Sequence, residues 1–269
     1  MSTTELSDIT DPAIPILARV GLGARAFVYL AIAAVLIDSA ITSKPDNGAS
    51  PGDAFRAIET AAAGRAILVA VGIGLFLYAL WRFQQAILDP EDHGTDAKGI
   101  LARAGMASSG ISYLLVGIAA ISVTFGSNEG GGGGKTEESM KWLMQQPFGS
   151  WLVMLAGLAL IGIGGAQMWR ARSGQWKKNI DLSGWASRLT SMISLGIAGR
   201  GILFILVGLF LAIGGWTADP SDIKGLASTL GWIRWQPFGL WLFIASALAI
   251  GVYGIYSGVQ SLRYRFPVD

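Results

Sequence analysis

Long apolar stretches recur along this chain, and they constrain its fold more than any other feature. Six of them, at about 20–41, 64–88, 100–125, 149–170, 192–215 and 239–262, fill most of the 269 residues, and none contains proline. Each is long enough to cross a hydrocarbon core of about 30 Å, which takes about 20 helical residues. Backbone polar groups in lipid must be satisfied within the segment, so these stretches are expected as helices. The apolar–polar alternation of a membrane strand is absent. Only 14% of residues are charged, against roughly 25% in a soluble domain. The fold class expected is all-α: a polytopic membrane protein with six transmembrane helices.

The chain has no cysteine, a single histidine, His93, and a net charge of +2. Thiolate metal sites, disulfides and bis-histidine haem are excluded, and no basic footprint points to nucleic acid. No metal constellation and no nucleophile–base pair stands out, so neither a cofactor nor an enzymatic activity is expected. Gly130–Gly134 followed by Lys135-Thr136 imitates a phosphate loop, but Glu129 occupies the first glycine position and no strand precedes it, so a glycine linker is expected. His93, among Asp89, Glu91, Asp92 and Asp96, matches no calcium or zinc spacing and reads as a solvated acidic loop.

Lysine and arginine set the expected orientation. Thirteen lie on the side of the N-terminus and the 2–3 and 4–5 connections, and seven on the other. The positive-inside rule then places both chain ends in the cytoplasm of a plasma membrane. The acidic first residues and the length of the first apolar run argue for a retained first helix rather than a cleaved signal.

The chain also repeats. Gly21-x3-Arg25-Ala26-x2-Tyr29-x3-Ala33 opens the first helix, Gly105-x3-Ser109-Gly110-x2-Tyr113-x3-Gly117 the third, and Gly196-x3-Arg200-Gly201-x2-Phe204-x3-Gly208 the fifth. The even helices open at Gly64, at Pro147-Phe148-Gly149 and at Pro237-Phe238-Gly239. A short amphipathic segment precedes each, at about 51–62, 136–145 and 222–235, the first with Ser50 and Asp53 as a capping box. Two crossings per unit return the chain to its starting side, which makes three parallel two-helix repeats about a pseudo-threefold axis. The organisation expected is a tail at 1–15 and repeats at 16–98, 99–190 and 191–269. Gly21, Ala33, Gly105, Gly117, Gly196 and Gly208 are candidate packing positions, because small residues let helices approach closely. Trp142, Phe148, Trp151, Trp232, Phe238 and Trp241 are candidate anchors at the outer headgroup level.

Charge supplies the functional candidates. Only 12 uncharged residues separate Arg25 from Asp38, and 16 separate Arg65 from Arg82. Asp38 and Arg65 fall near the outer end of one hairpin, and an unpaired charge there costs several kcal/mol, so they are expected to pair. Arg25 and Arg200 share a depth near the cytoplasmic end. They are candidates to hold an anionic lipid or ligand, or else to snorkel as anchors. No acid lies near the middle of any helix, which argues against ion-coupled transport. The reading favoured is a non-enzymatic component that binds membrane lipids or other membrane proteins; the alternative is a small-solute channel or transporter along the pseudo-threefold axis.

The Gly-x3-Arg-x3-Tyr opening of odd helices and the Pro-Phe-Gly opening of even ones resemble a bacterial family, domain of unknown function 1206. The resemblance covers residues 15–265 and implies a bacterial source and a transmembrane helix pair occurring three times. It supplies no activity, substrate or site residue. The first repeat departs from it with Ala62-Ala63-Gly64, and the second has Ser109 in the arginine position.

Overall fold

The computed structural model describes residues 13–42, 51–89, 92, 94–126, 132–178 and 180–264, and is helical nearly throughout. Six helices are long and apolar enough to span a membrane: α1 (Ala13–Thr42), α3 (Gly64–Leu88), α4 (Ala97–Thr124), α6 (Gly149–Ser173), α8 (Thr190–Thr217) and α10 (Gly239–Arg263). Between them lie α2 (Pro51–Glu59), α5 (Gly132–Met144), α7 (Trp185–Arg188) and α9 (Leu226–Arg234). α5 begins inside the glycine run, so that run is not wholly a linker. Ser50, His93 and Glu91 lie outside the described residues.

The short helices α2, α5 and α9 lead into α3, α6 and α10, and the glycine opening each spanning helix is required by that junction. A Cβ at Gly64, Gly149 or Gly239 would overlap the carbonyl oxygen of Ile58, Leu143 or Arg234, near the end of the preceding helix. Phe148 and Phe238 hold left-handed backbone at φ 62° and 60° to make the turn. Their side chains, with Trp142, Trp151 and Trp241, are more than half exposed, while Trp232 packs edge-on against Phe210.

The spanning helices form a ring. α3 packs on α4, α6 on α8, and α10 on α1; these junctions join the second helix of one repeat to the first of the next and are the most extensive. Small residues make them close. A Cβ at Gly117 would fall 3.1 Å from the carbonyl oxygen of Gly72, and one at Gly208 2.7 Å from that of Gly157. Ala33 meets Gly251 in the same way. Within repeats, α1 packs on α3 and α8 on α10. There a Cβ at Gly21 would come 2.7 Å from Cα of Tyr78, and one at Gly196 3.2 Å from the backbone nitrogen of Tyr253.

The second repeat breaks this pattern. Its own helices, α4 and α6, share at most marginal contact. Gly105, the counterpart of Gly21 and Gly196, is exposed and has nothing within 4 Å of its Cβ position. The expectation that Gly105 packs like its counterparts is therefore corrected: the helix it would have met is displaced.

Two large apolar clusters fill most of the interior, and a smaller third gathers Val153, Leu211 and Ile223. One, around Leu36, Phe55, Leu68, Leu75 and Leu230, lies toward the short helices. The other, around Leu22, Trp81, Trp176, Ile193 and Tyr256, lies toward the chain ends. The 174–189 connection closes that end: Trp176 Nε1 donates to Ser194 Oγ at 3.1 Å, and Asp181 N donates to the Arg263 carbonyl at 2.9 Å. Arg19 and Ser261 meet at the same end, where the Ser261 hydroxyl donates to the Arg19 carbonyl at 2.7 Å.

Candidate functional site

Arg25 and Tyr29 are four residues apart on α1, so they share a face and stand one turn apart. On α10, Tyr253, Tyr256, Ser257 and Gln260 follow the i, i+3, i+4, i+7 spacing of one helical stripe, and Tyr78, Trp81, Arg82 and Gln85 repeat it on α3. The ring brings these stripes together. Arg25 is 6% exposed. Its Nε donates to Ser257 Oγ at 3.0 Å, Nη1 to Tyr78 OH at 2.6 Å and Nη2 to Gln260 Oε1 at 2.5 Å. Its guanidinium carbon lies 5.1 Å from the Tyr78 ring centre and 5.5 Å from that of Tyr253. The side chain is turned into the bundle, so Arg25 is not a snorkelling anchor.

Arg200 approaches the same place from α8. Its Nη1 donates to Gln167 Oε1 at 2.9 Å and its Nη2 to Tyr29 OH at 3.1 Å. Its guanidinium carbon sits 4.3 Å from the centres of both Phe204 and Tyr253. The Tyr29 hydroxyl also meets the Tyr113 hydroxyl of α4 at 3.2 Å. Tyr29 stands edge-on to Tyr253, and Tyr78 edge-on to Tyr113, with ring centres 5.0 and 4.8 Å apart. All six spanning helices thus contribute to one cluster of two cations, neutral acceptors and aromatic rings.

Both guanidiniums lie against the Tyr253 ring, which limits their separation to about 10 Å. Two like charges at that distance repel by roughly 2 kcal/mol at an effective dielectric of about 20. No carboxylate bonds either cation among the described residues; Arg65 pairs with Glu59 and Arg263 with Asp181, both away from the cluster. Asp38 is the one acid in the six spanning helices, and it lies 13 residues from Arg25, or about 20 Å along α1. Aromatic faces and neutral oxygens soften the burial of a cation, each cation–π contact contributing about 0.5–2 kcal/mol. None of them supplies a negative charge.

The expected pair of Asp38 and Arg65 is not formed. Arg65 Nη2 meets Glu59 Oε1 at 3.4 Å instead, and its side chain is 72% exposed. Glu59 ends α2, which brings the carboxylate to the start of α3, while Asp38 is exposed on α1.

The repeats also reveal a member of the site that charge spacing alone missed. In register from Gly64, Gly149 and Gly239, Arg82 corresponds to Gln167 and Ser257, the residues that face Arg200 and Arg25. The junction of α3 with α4, which has Ser109 in the odd-helix arginine position, therefore carries its arginine on the even helix. Arg82 Nη1 donates to Gln85 Oε1 at 2.8 Å, and its buried Nε has no partner among the described residues. Each of the three junctions between repeats thus holds an arginine at this register position, and Arg103 of α4 adds a second to the α3–α4 junction, donating to the Ala86 and Ile87 carbonyls at 2.7 and 3.1 Å.

This threefold register is matched by comparison with known proteins. A family model described as Domain of Unknown Function (DUF1206) matches residues 20–89, 104–174 and 195–263. The chain belongs to this family. It is also 30% identical over 203 residues to "Uncharacterized protein YxxB" of Bacillus subtilis (strain 168), a match covering 74% of this chain and 73% of the relative. No solved structure gives a significant match. The three matched segments each contain one pair of spanning helices, α1 with α3, α4 with α6, and α8 with α10.

Proposed function

We propose that this membrane-spanning protein is a non-enzymatic component that binds an anionic group, a phosphate or carboxylate, at the Arg25–Arg200 pair. The observation that supports this is Arg25 itself: a cation 6% exposed, next to a second cation, and bonded among the described residues only to neutral acceptors. Burying a charge without a counter-charge costs several kcal/mol. An anion bound between the two guanidiniums removes that cost and their mutual repulsion together, and guanidinium forks match carboxylate and phosphate oxygens. The positive-inside rule places this end of the bundle in the cytoplasm of a bacterial plasma membrane. The aromatic rings packed around both arginines weigh against a solute path along the axis.

The test uses butyl phosphate, a water-soluble anion, added at constant ionic strength to purified protein while unfolding is followed by tryptophan fluorescence. The anion is expected to stabilise the wild type, by about 2.7 kcal/mol at a hundred times its dissociation constant. Arg25→Gln and Arg200→Gln are expected to abolish the effect, and Arg200→Lys to weaken it. Equal stabilisation of all four proteins, or none of the wild type, would refute the reading.

A further inference from the structure

The bare face of the second repeat lies beside this site. Where α1 meets α3 and α8 meets α10, small residues are in van der Waals contact: Gly74 with Ala24, and Gly199 with Ala249. The counterparts in the second repeat, Ser108 on α4 and Ala159 on α6, are both exposed. Gly105 and Gly162 are exposed too, each with nothing within 4 Å of its Cβ position. The residues that would crowd the opening are trimmed as well. Tyr78 and Tyr253 correspond to Ile163, which is 47% exposed, and Trp81 and Tyr256 correspond to Ala166.

The seam between α4 and α6 is therefore open at the level of the arginine cluster. Tyr113 of α4 and Gln167 of α6 flank it from inside, and each is hydrogen-bonded into the cluster, Gln167 to Arg200 itself. Arg200, the arginine on this side, is the less buried of the two. The cluster's depth fits a headgroup. Ser257 and Gln260, which hold Arg25, lie six and three residues from the end of α10, so about 5–9 Å inside it. That level adjoins the polar region of one leaflet, since α10 with 25 residues is about 37 Å long against a core of about 30 Å.

From these observations we propose that the anion is the headgroup of a bilayer lipid, which enters sideways between α4 and α6. Its phosphate rests on Arg200 and Arg25, and an acyl chain lies in the small-residue seam along Ser108, Ala159 and Gly162. The charge of the site selects an anionic lipid over a zwitterionic one. The proposal rests on the reading of the arginine pair as an anion site, and the test separates the two.

The full chain is reconstituted in phosphatidylcholine vesicles containing phosphatidylglycerol, extracted, and examined by native mass spectrometry for retained lipid. The variants are Gly162→Leu and Ser108→Leu, which fill the seam at positions with room for a side chain, Gly231→Leu as a control on α9, and Arg25→Gln with Arg200→Gln. The wild type and Gly231→Leu are expected to retain one phosphatidylglycerol. The seam variants should lose at least tenfold in occupancy yet keep the wild-type response to butyl phosphate. The arginine variants should lose both. Seam variants that retain lipid like the wild type would overturn lateral entry and leave the anion site standing. A wild type that responds to butyl phosphate but retains no lipid would overturn the lipid assignment. Efficient cross-linking of Gly162→Cys between two chains would give the seam to a second copy and overturn the proposal. A wild type that neither retains lipid nor responds to butyl phosphate would overturn both readings.

Discussion

Gly157 and Gly162 lie five residues apart on α6, and alanine is expected to move stability in opposite directions at the two positions. At Gly157 a Cβ would come 2.6 Å from the carbonyl oxygen of Gly208 and 2.9 Å from Cα of Ala212, both backbone atoms of α8. Backbone cannot rotate away, so α6 and α8 must separate by several tenths of an ångström along their closest contact. Overpacking of this kind costs about 1–3 kcal/mol, and a widened junction also loses dispersion contacts. At Gly162 the added Cβ meets nothing within 4 Å. There only the helix preference acts, and it favours alanine over glycine by about 0.5–1 kcal/mol. The helix preference acts alike at both positions and cancels in the comparison, so the two variants should differ by the overpacking cost, roughly 1–3 kcal/mol, with Gly157→Ala the less stable. Reversible unfolding in mixed micelles, followed by tryptophan fluorescence, measures the difference. Shifts that agree within about 0.5 kcal/mol would mean that α6 packs alike at both positions, and the reasoning behind the open seam would fail.

Three further outcomes are expected. Arg65→Ala should change stability by less than about 1 kcal/mol in the same assay, because its ion pair with Glu59 is largely exposed; a loss of several kcal/mol would restore a buried partner. The Asp219 carboxylate accepts the Ser221 N–H at 2.8 Å, which holds its pKa below the usual carboxylate value. A lowered folded-state pKa means that this turn's contribution is present above the unfolded pKa and lost as pH falls through the folded one; an NMR titration should show Ser221→Pro, which deletes the N–H, moving the midpoint back up. Ala33→Cys should stay silent to a charged thiol reagent in folded protein, since Ala33 is buried against Gly251 of α10, and rapid labelling would mean a water path through the α1–α10 junction.

Much of the architecture was legible because it follows from local pattern. Long apolar runs must be helices in lipid, and a motif repeated three times must give three similar units. Arg25 and Arg200 stood out for the same reason, as charges inside such runs. The pairing of Asp38 with Arg65 was misjudged because proximity along a hairpin does not fix which carboxylate reaches the arginine: Glu59, at the end of α2, is delivered there by the short helix. Gly105 was misjudged because a shared motif does not reveal whether the partner helix is in place. The polar stripe on α10 and its counterpart on α3 were visible as a heptad-like spacing, but only assembly gives them their meaning.

By itself, then, the sequence determined six membrane helices, a threefold repeat and a family membership, all of which are carried by residue type and spacing within single segments. The tertiary structure decided that Arg25 and Arg200 face one another's aromatic partners, that Arg82 completes the register, and that the ring stays open between α4 and α6. These depend on contacts between residues up to 235 positions apart, such as Arg25 with Gln260. Helices in lipid are chosen by local satisfaction of the backbone, whereas their mutual placement is chosen by close packing, which no single segment contains.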